Sequence, residues 1–131
     1  MRPSRASSRF QAEDSMTTIA ENSGLVTAIN VFTVDPSNQQ RLLDLLARMT
    51  ETSVRNLPGF VSAALHRSVD GGKVTMYAQW ASVQHYQDYQ ATRSKSGASP
   101  EVTEILAIAR FEPAAYEVVK VCAGPSASRA D

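Results

Sequence analysis

The stretch VTMYAQWASVQHY (Val74–Tyr86) gathers the single tryptophan of the chain, two of its four tyrosines and one of its two histidines. Alternate residues of a strand share a face, which groups Val74, Met76, Ala78 and Trp80. On the preceding segment the same rule groups Phe60, Ser62, Ala64, His66 and Ser68. The Asp-Gly turn signal in VDGG (Val69–Gly72) makes the two segments antiparallel neighbours. If the turn brings both sets to one side, His66, Met76 and Trp80 line one wall, with Ser62, Ala64 and Ala78 leaving space between them. Tyr86, four residues after Ser82 and near the start of a helix, reaches back over that wall. Such a wall offers proton transfer and hydrogen bonding. An imidazole titrates near neutrality, and indole and phenol groups each carry one polar atom on an apolar body.

Each residue also has a packing reading. Trp80 at a strand end can be core, His66 a half-buried hydrogen-bonded histidine, and Tyr86 a helix-packing residue. His85 reads as part of a solvated face and Tyr89 as packing. RSKSG (Arg93–Gly97) reads as a solvated loop, with Arg93 at most edging the pocket mouth. Asn30 is more informative. An amide inside the apolar run LVTAINVFTV needs a partner, local or from a ligand, because left unpaired it costs on the order of 1–3 kcal/mol.

The totals limit the function classes. A chain of 131 residues with 43% apolar residues and a formal net charge of zero fits one soluble globular domain. It gives no support for nucleic acid or an anionic membrane as partner. No apolar run approaches the roughly 20 residues that span a bilayer. The single cysteine, Cys122, rules out an internal disulfide and fits a reducing, cytoplasmic compartment. The six glycines form no G-x-G-x-x-G or P-loop pattern, and no zinc-type Cys/His spacing, H-E-x-x-H or serine nucleophile elbow is present. The expectation is an activity with no metal and no recognisable organic cofactor.

The elements that must position these residues follow in order. Residues 1–23 are rich in Ser and Arg without a hydrophobic period and read as a disordered extension, with Met16 an alternative start. Residues 24–121 form the domain, and 122–131 a flexible tail. Leu25–Val34 reads as a strand apolar on both faces, hence covered on both. Asp35 and Pro36 open a helix whose apolar stripe includes Leu42, Leu46 and Met49, and LPG (Leu57–Gly59) stops it. Phe60–Ser68 and Lys73–Trp80 pair as a hairpin. Ser82 caps a helix over Val83–Thr92, Ser99 and Pro100 open another to Arg110, and Ala115–Val121 is the last strand. The order β-α-β-β-α-α-β predicts a ferredoxin-like α+β subunit with an antiparallel sheet. One sheet face would remain uncovered, which predicts a homodimer joined sheet to sheet.

INVFTVDPSNQQRLLDLL, LPGFVSAALHRSVDGGKVTMYAQWAS and YEVVKV together resemble the antibiotic biosynthesis monooxygenase family over about Gly24 to Val121; the block ending in YAQW is the specific part. The resemblance implies a dimeric α+β barrel with a pocket between each sheet and its helices. It implies oxygenation of an aromatic polyketide, anthrone or hydroquinone-type substrate by O2 to a quinone, without metal, flavin or haem. It carries Trp80 onto the tryptophan of YAQW, Tyr86 onto a tyrosine six residues later, and His66 onto a histidine of the preceding strand. Trp80 N–H and Tyr86 O–H then become donors, His66 the base, and Asn30 a group orienting substrate or peroxide. Phe60, Met76, Phe32 and Ala64 are the expected substrate-facing positions. Met76 stands where the family has an asparagine, and Asn30 offers a carboxamide on the first strand instead. A helix arginine of some members has no clear match; Glu104 lies in that region. Haem-degrading members share Asn30 and Trp80 but need an axial histidine, which ATRSKSGASPEVTEILAIAR lacks. Two other readings stay open: a non-catalytic dimer binding a hydrophobic small molecule, which Met76 favours, and a quinol monooxygenase of stress metabolism.

Overall fold

The computed structural model describes residues 16–95 and 99–125. Its elements are β1 (Val26–Val34), α1 (Gln39–Thr52), β2 (Phe60–Arg67), β3 (Lys73–Trp80), α2 (Val83–Lys95), α3 (Pro100–Ile108) and β4 (Ala109–Tyr116). The strands form one antiparallel sheet in the order β2-β3-β1-β4. Two split β-α-β units interlock in it, which is the ferredoxin-like α+β arrangement. Among the described residues, no helix is long and apolar enough to cross a membrane.

Local chemistry accounts for most boundaries. Asp35 Oδ1 accepts from the Ser37 N–H at 3.0 Å, Pro36 starts a single 3-10 turn, and α1 follows. Leu42, Leu45 and Leu46 of α1 are buried against Phe32, Val34 and Val74 of the sheet. Each such side chain contributes on the order of 1.5–3 kcal/mol through burial. Gln39 Nε2 donates to the carbonyls of Ser68 (3.1 Å) and Lys73 (2.9 Å), tying the start of α1 to the β2–β3 turn. In that turn Gly71 takes φ +88°, and Asp70 Oδ1 accepts from the Gly72 N–H at 2.9 Å. Ser82 Oγ accepts from the His85 N–H at 3.1 Å and Ser99 Oγ from the Val102 N–H at 3.2 Å, so both expected helix caps are present.

Three boundaries differ from expectation, the first being α2, which runs on through Arg93 to Lys95 instead of ending at Thr92. Helix α3 ends at Ile108, and the last strand is Ala109–Tyr116 rather than Ala115–Val121. Pro113 is tolerated because β4 is an edge strand, and Phe111 is drawn in by packing against Phe32 at 5.7 Å between ring centroids. The β-branched stretch Val118–Val121 lies outside regular structure, with Val119 largely exposed. The end of the expected extension is among the described residues. Thr17 Oγ1 and Ser62 Oγ lie 3.0 Å apart, and the Thr18 carbonyl accepts from Gln79 Nε2 at 2.7 Å. Thr17 and Thr18 therefore lie on the sheet face away from the helices, over the buried Ser62 and Gln79. The rest of the expected extension (1–15), part of the 93–97 loop and most of the expected tail (126–131) lie outside the described residues.

Candidate active site

The side of the sheet facing the helices is set by register. Asn30 of β1 pairs with Met76 of β3 on one side and Pro113 of β4 on the other. Val26, Ala28, Phe32 and Val34 share its face, as do Val74, Ala78 and Trp80 beside Met76. On β2 the alternation breaks. Phe60 pairs with Trp80, but Ser62 pairs with Gln79, so Val61 is an extra residue in a bulge. Beyond the bulge Ala63 and Leu65 face the helices opposite Ala78 and Met76. His66 and Ala64 pair with Thr75 and Tyr77 on the other face.

The expected single wall of His66, Met76 and Trp80 is thus corrected. One inserted residue turns the far half of β2 over, and His66 is exposed on the side away from Trp80. Ala64 goes with it. Phe60 stays on the helix side, but it packs edge-on against Trp80 (5.6 Å, 86°) rather than lining a cavity. The structure does bring Asn30, Phe32, Met76, Trp80 and Tyr86 to the same side of the sheet.

Helix α2 contributes more than Tyr86. Tyr86, Tyr89 and Arg93 fall at i, i+3 and i+7, one face of a helix. Tyr89 stacks on Trp80 at 4.9 Å and 22°, and Tyr86 lies 6.4 Å from Trp80. The spacing in YQDYQATR is the signal that could have found Tyr89 and Arg93. Tyr86 Oη accepts from Gln90 Nε2 at 3.1 Å. Burial raises the Tyr86 pKa above its ordinary value, with Arg93 pulling weakly the other way. Its hydroxyl is therefore protonated at neutral pH and free to donate.

Between sheet and helices lies a cavity of about 290 Å³. Asn30, Phe32 and Met76 form its floor, with Leu46 and Met49 from α1, Tyr89 and Arg93 from α2, Ile105 and Leu106 from α3, and Phe111 from β4. A void of about 30 Å³ adjoins it; the two share Asn30, Val54, Met76, Tyr89 and Arg93, and Trp80 and Tyr86 line the smaller one. The lining is apolar with few polar groups, the usual composition of a small-molecule site. Asn30 Oδ1 is buried there without a hydrogen-bond partner. Glu104, in contrast, points out of the site and pairs with Arg41 of α1. Among the described residues, no group of three or more His, Cys, Asp or Glu converges to hold a metal ion.

This sequence and its split β-α-β fold have counterparts among known proteins. The family model described as antibiotic biosynthesis monooxygenase matches residues 25–104, and the chain belongs to that family. The tetracenomycin-F1 monooxygenase of Streptomyces glaucescens is 39% identical over 103 residues, covering 79% of this chain and 89% of that protein. Among solved structures, a monooxygenase from the gene ActVA-Orf6 of Streptomyces coelicolor, in complex with the ligand nanaomycin D, is similar at 29% identity. It has a TM-score of 0.57 over 76% of this chain and 91% of that one. SnoaB, a cofactor-independent oxygenase from Streptomyces nogalater, shares the fold at 24% identity, with a TM-score of 0.60 over 76% of this chain and 97% of that one.

Proposed function

We propose that the chain is a cofactor-independent monooxygenase that oxidises an aromatic polyketide, anthrone or hydroquinone-type substrate with O2 to a quinone. The observation that carries this reading is Asn30 Oδ1, a buried acceptor without a partner on the wall of a mostly apolar cavity. Such a group costs stability unless a ligand hydroxyl satisfies it. Family membership and the names of the relatives support the oxygenase chemistry.

In this reading the substrate lies flat against Phe32 and Phe111, with one hydroxyl donating to Asn30. Among the described residues, no imidazole or carboxylate lines either cavity. The substrate therefore binds already ionised at a conjugated phenol or enol. The anion passes one electron to O2, and the radical pair combines to a peroxide at carbon. For an anthrone methylene, loss of water leaves a carbonyl, so one oxygen atom ends in the quinone and the other in water. Tyr86 O–H and Trp80 N–H are the donors toward the small void, where O2 or peroxide oxygen gathers negative charge. Closure of the apolar walls excludes water.

O2 uptake by metal-stripped protein tests this with anthrone and hydroquinone substrates. One O2 should be consumed per quinone formed. Asn30→Leu should lower turnover about threefold to tenfold, the worth of a neutral hydrogen bond, and Trp80→Phe about ten- to a hundredfold, the worth of one to a charged species. No turnover by the wild type, or unimpaired turnover in both variants, rejects the reading. Met76 favours a second reading, a non-catalytic binder of a hydrophobic molecule, because a thioether is a weak acceptor and no donor. Tight binding without O2 consumption would decide for it.

The proposal includes a homodimer joined through the sheet face away from the helices. Ile29, Val31, Tyr77 and Ala64 lie there half-exposed in mid-sheet, beyond the reach of the Thr17 and Thr18 contacts.

A further inference from the structure

We infer that Arg93 is a ligand-binding residue of the cavity and selects aromatic molecules that carry an anionic oxygen, a carboxylate or an ionised phenol. The inference rests on the cavity reading above and adds the chemical class of the occupant. Arg93 lines both the larger cavity and the adjoining void, and among the described residues it is the only ionic side chain that does so. Its guanidinium carbon lies 5.4 Å from the Tyr89 ring centroid and 5.7 Å from that of Phe111, and Nη1 is 3.5 Å from Tyr89 Oη. Every one of these partners is neutral. Among the described residues, no carboxylate pairs with Arg93; the ion pair is Arg41–Glu104, between α1 and α3.

Two ring faces orient this group without neutralising it. A guanidinium stays charged at any physiological pH and presents up to five N–H donors in a plane. Half-buried at an apolar cavity, it retains donors for an anion whose attraction is less screened than on an open surface. Asn30 Oδ1, in the same lining, asks for the opposite, a hydrogen-bond donor. The matching ligand is flat and apolar in its body, carries an O–H for Asn30 and sets a negative oxygen against Arg93. A flat aromatic acid whose phenol sits away from the carboxylate, so that its O–H is not bonded internally, meets all three demands.

The test is binding of a hydroxynaphthoic acid and of its primary amide, read by quenching of the single tryptophan, Trp80, which lines the void. Both keep the phenol for Asn30, but only the acid is ionised near pH 7. Wild type should bind the acid about ten- to a hundredfold tighter than the amide. Arg93→Met, which keeps an apolar stem between the rings, should bring that ratio to about one, and Arg93→Gln should do the same. The ratio is internal to each variant, so partial misfolding does not imitate the result. A wild-type ratio near one, or a ratio that survives both substitutions, overturns the inference. If neither compound binds the wild type, the cavity reading itself fails; if both bind equally, only the role of Arg93 does. A dihydroxynaphthalene titrated across its own pKa separates the two sources of charge. Tighter binding of the ionised form keeps phenolates in the class, and equal binding of both forms confines it to carboxylates.

Discussion

Asn30 and Met76 face each other across β1 and β3 as direct Cα partners. Side chains so placed have Cβ atoms about 4.5–5.5 Å apart, so in the proposed function the neighbouring strand offers the carboxamide that the resemblance implies at position 76. This leads to a prediction opposite to simple restoration of the family residue. In Met76→Asn the two amides can bond to each other, which occupies Asn30 Oδ1 and withdraws it from the ligand. Turnover and affinity for the hydroxynaphthoic acid should fall by about tenfold, whereas Met76→Leu should change them little. Oxygen-electrode rates and tryptophan quenching check this; faster turnover in Met76→Asn would mean that position 76 needs its own amide. Asn30 was legible from the sequence because a carboxamide in an apolar strand is a local conflict. Arg93 was legible only as a loop-edge charge, since its value depends on Tyr89 and Phe111, which the fold brings beside it.

At the level of elements, the aromatic face of α2 is seated by a single glycine. Gly59 takes φ +83°, and a Cβ there would fall within the imidazole of His85. Its carbonyl also accepts from the Ala81 N–H at 2.7 Å, fixing the turn between β3 and α2. Gly59→Ala should therefore lose about 1–3 kcal/mol from the backbone conformation alone, and more from displacing the first turn that carries Tyr86. Adding His85→Ala should recover only the contact part. Urea unfolding of the single and double variants measures both, and an undiminished Gly59→Ala protein would refute the assignment. The helix starts were readable because Asp35, Ser82 and Ser99 are capping residues with local partners. The last strand was not, because its Phe111 is held by a contact with Phe32 far away in sequence, and because Pro113 argues locally against a strand. The face of β2 was misread for a similar reason. A bulge is a property of strand pairing, and nothing in FVSAALHR announces it.

For the whole molecule, the interlocked β-α-β order and the apolar outer face of the sheet both followed from hydrophobic periods, while the contact of Thr17 and Thr18 with that face did not. These two residues bond to one end of it, and mid-sheet Tyr77 stands between Ile29 and Ala64. If two copies meet there, Tyr77→Lys places like charges against each other at the symmetric contact. The wild type should run as a dimer in light scattering at micromolar concentration and the variant as a monomer with unchanged circular dichroism. A monomeric wild type would exclude the sheet-to-sheet assembly.

The bulge at Val61 gives the chain an odd-even switch. Downstream of it, which side chains face the helices depends on the number of residues between the bulge and the turn as much as on what they are. Removing one residue from the β2–β3 turn, with Phe60 held opposite Trp80, would absorb the bulge and put His66 in place of Leu65 on the helix side without any substitution. A scaffold of this kind can gain or lose an ionisable group on the inner face of its sheet by a change of length alone.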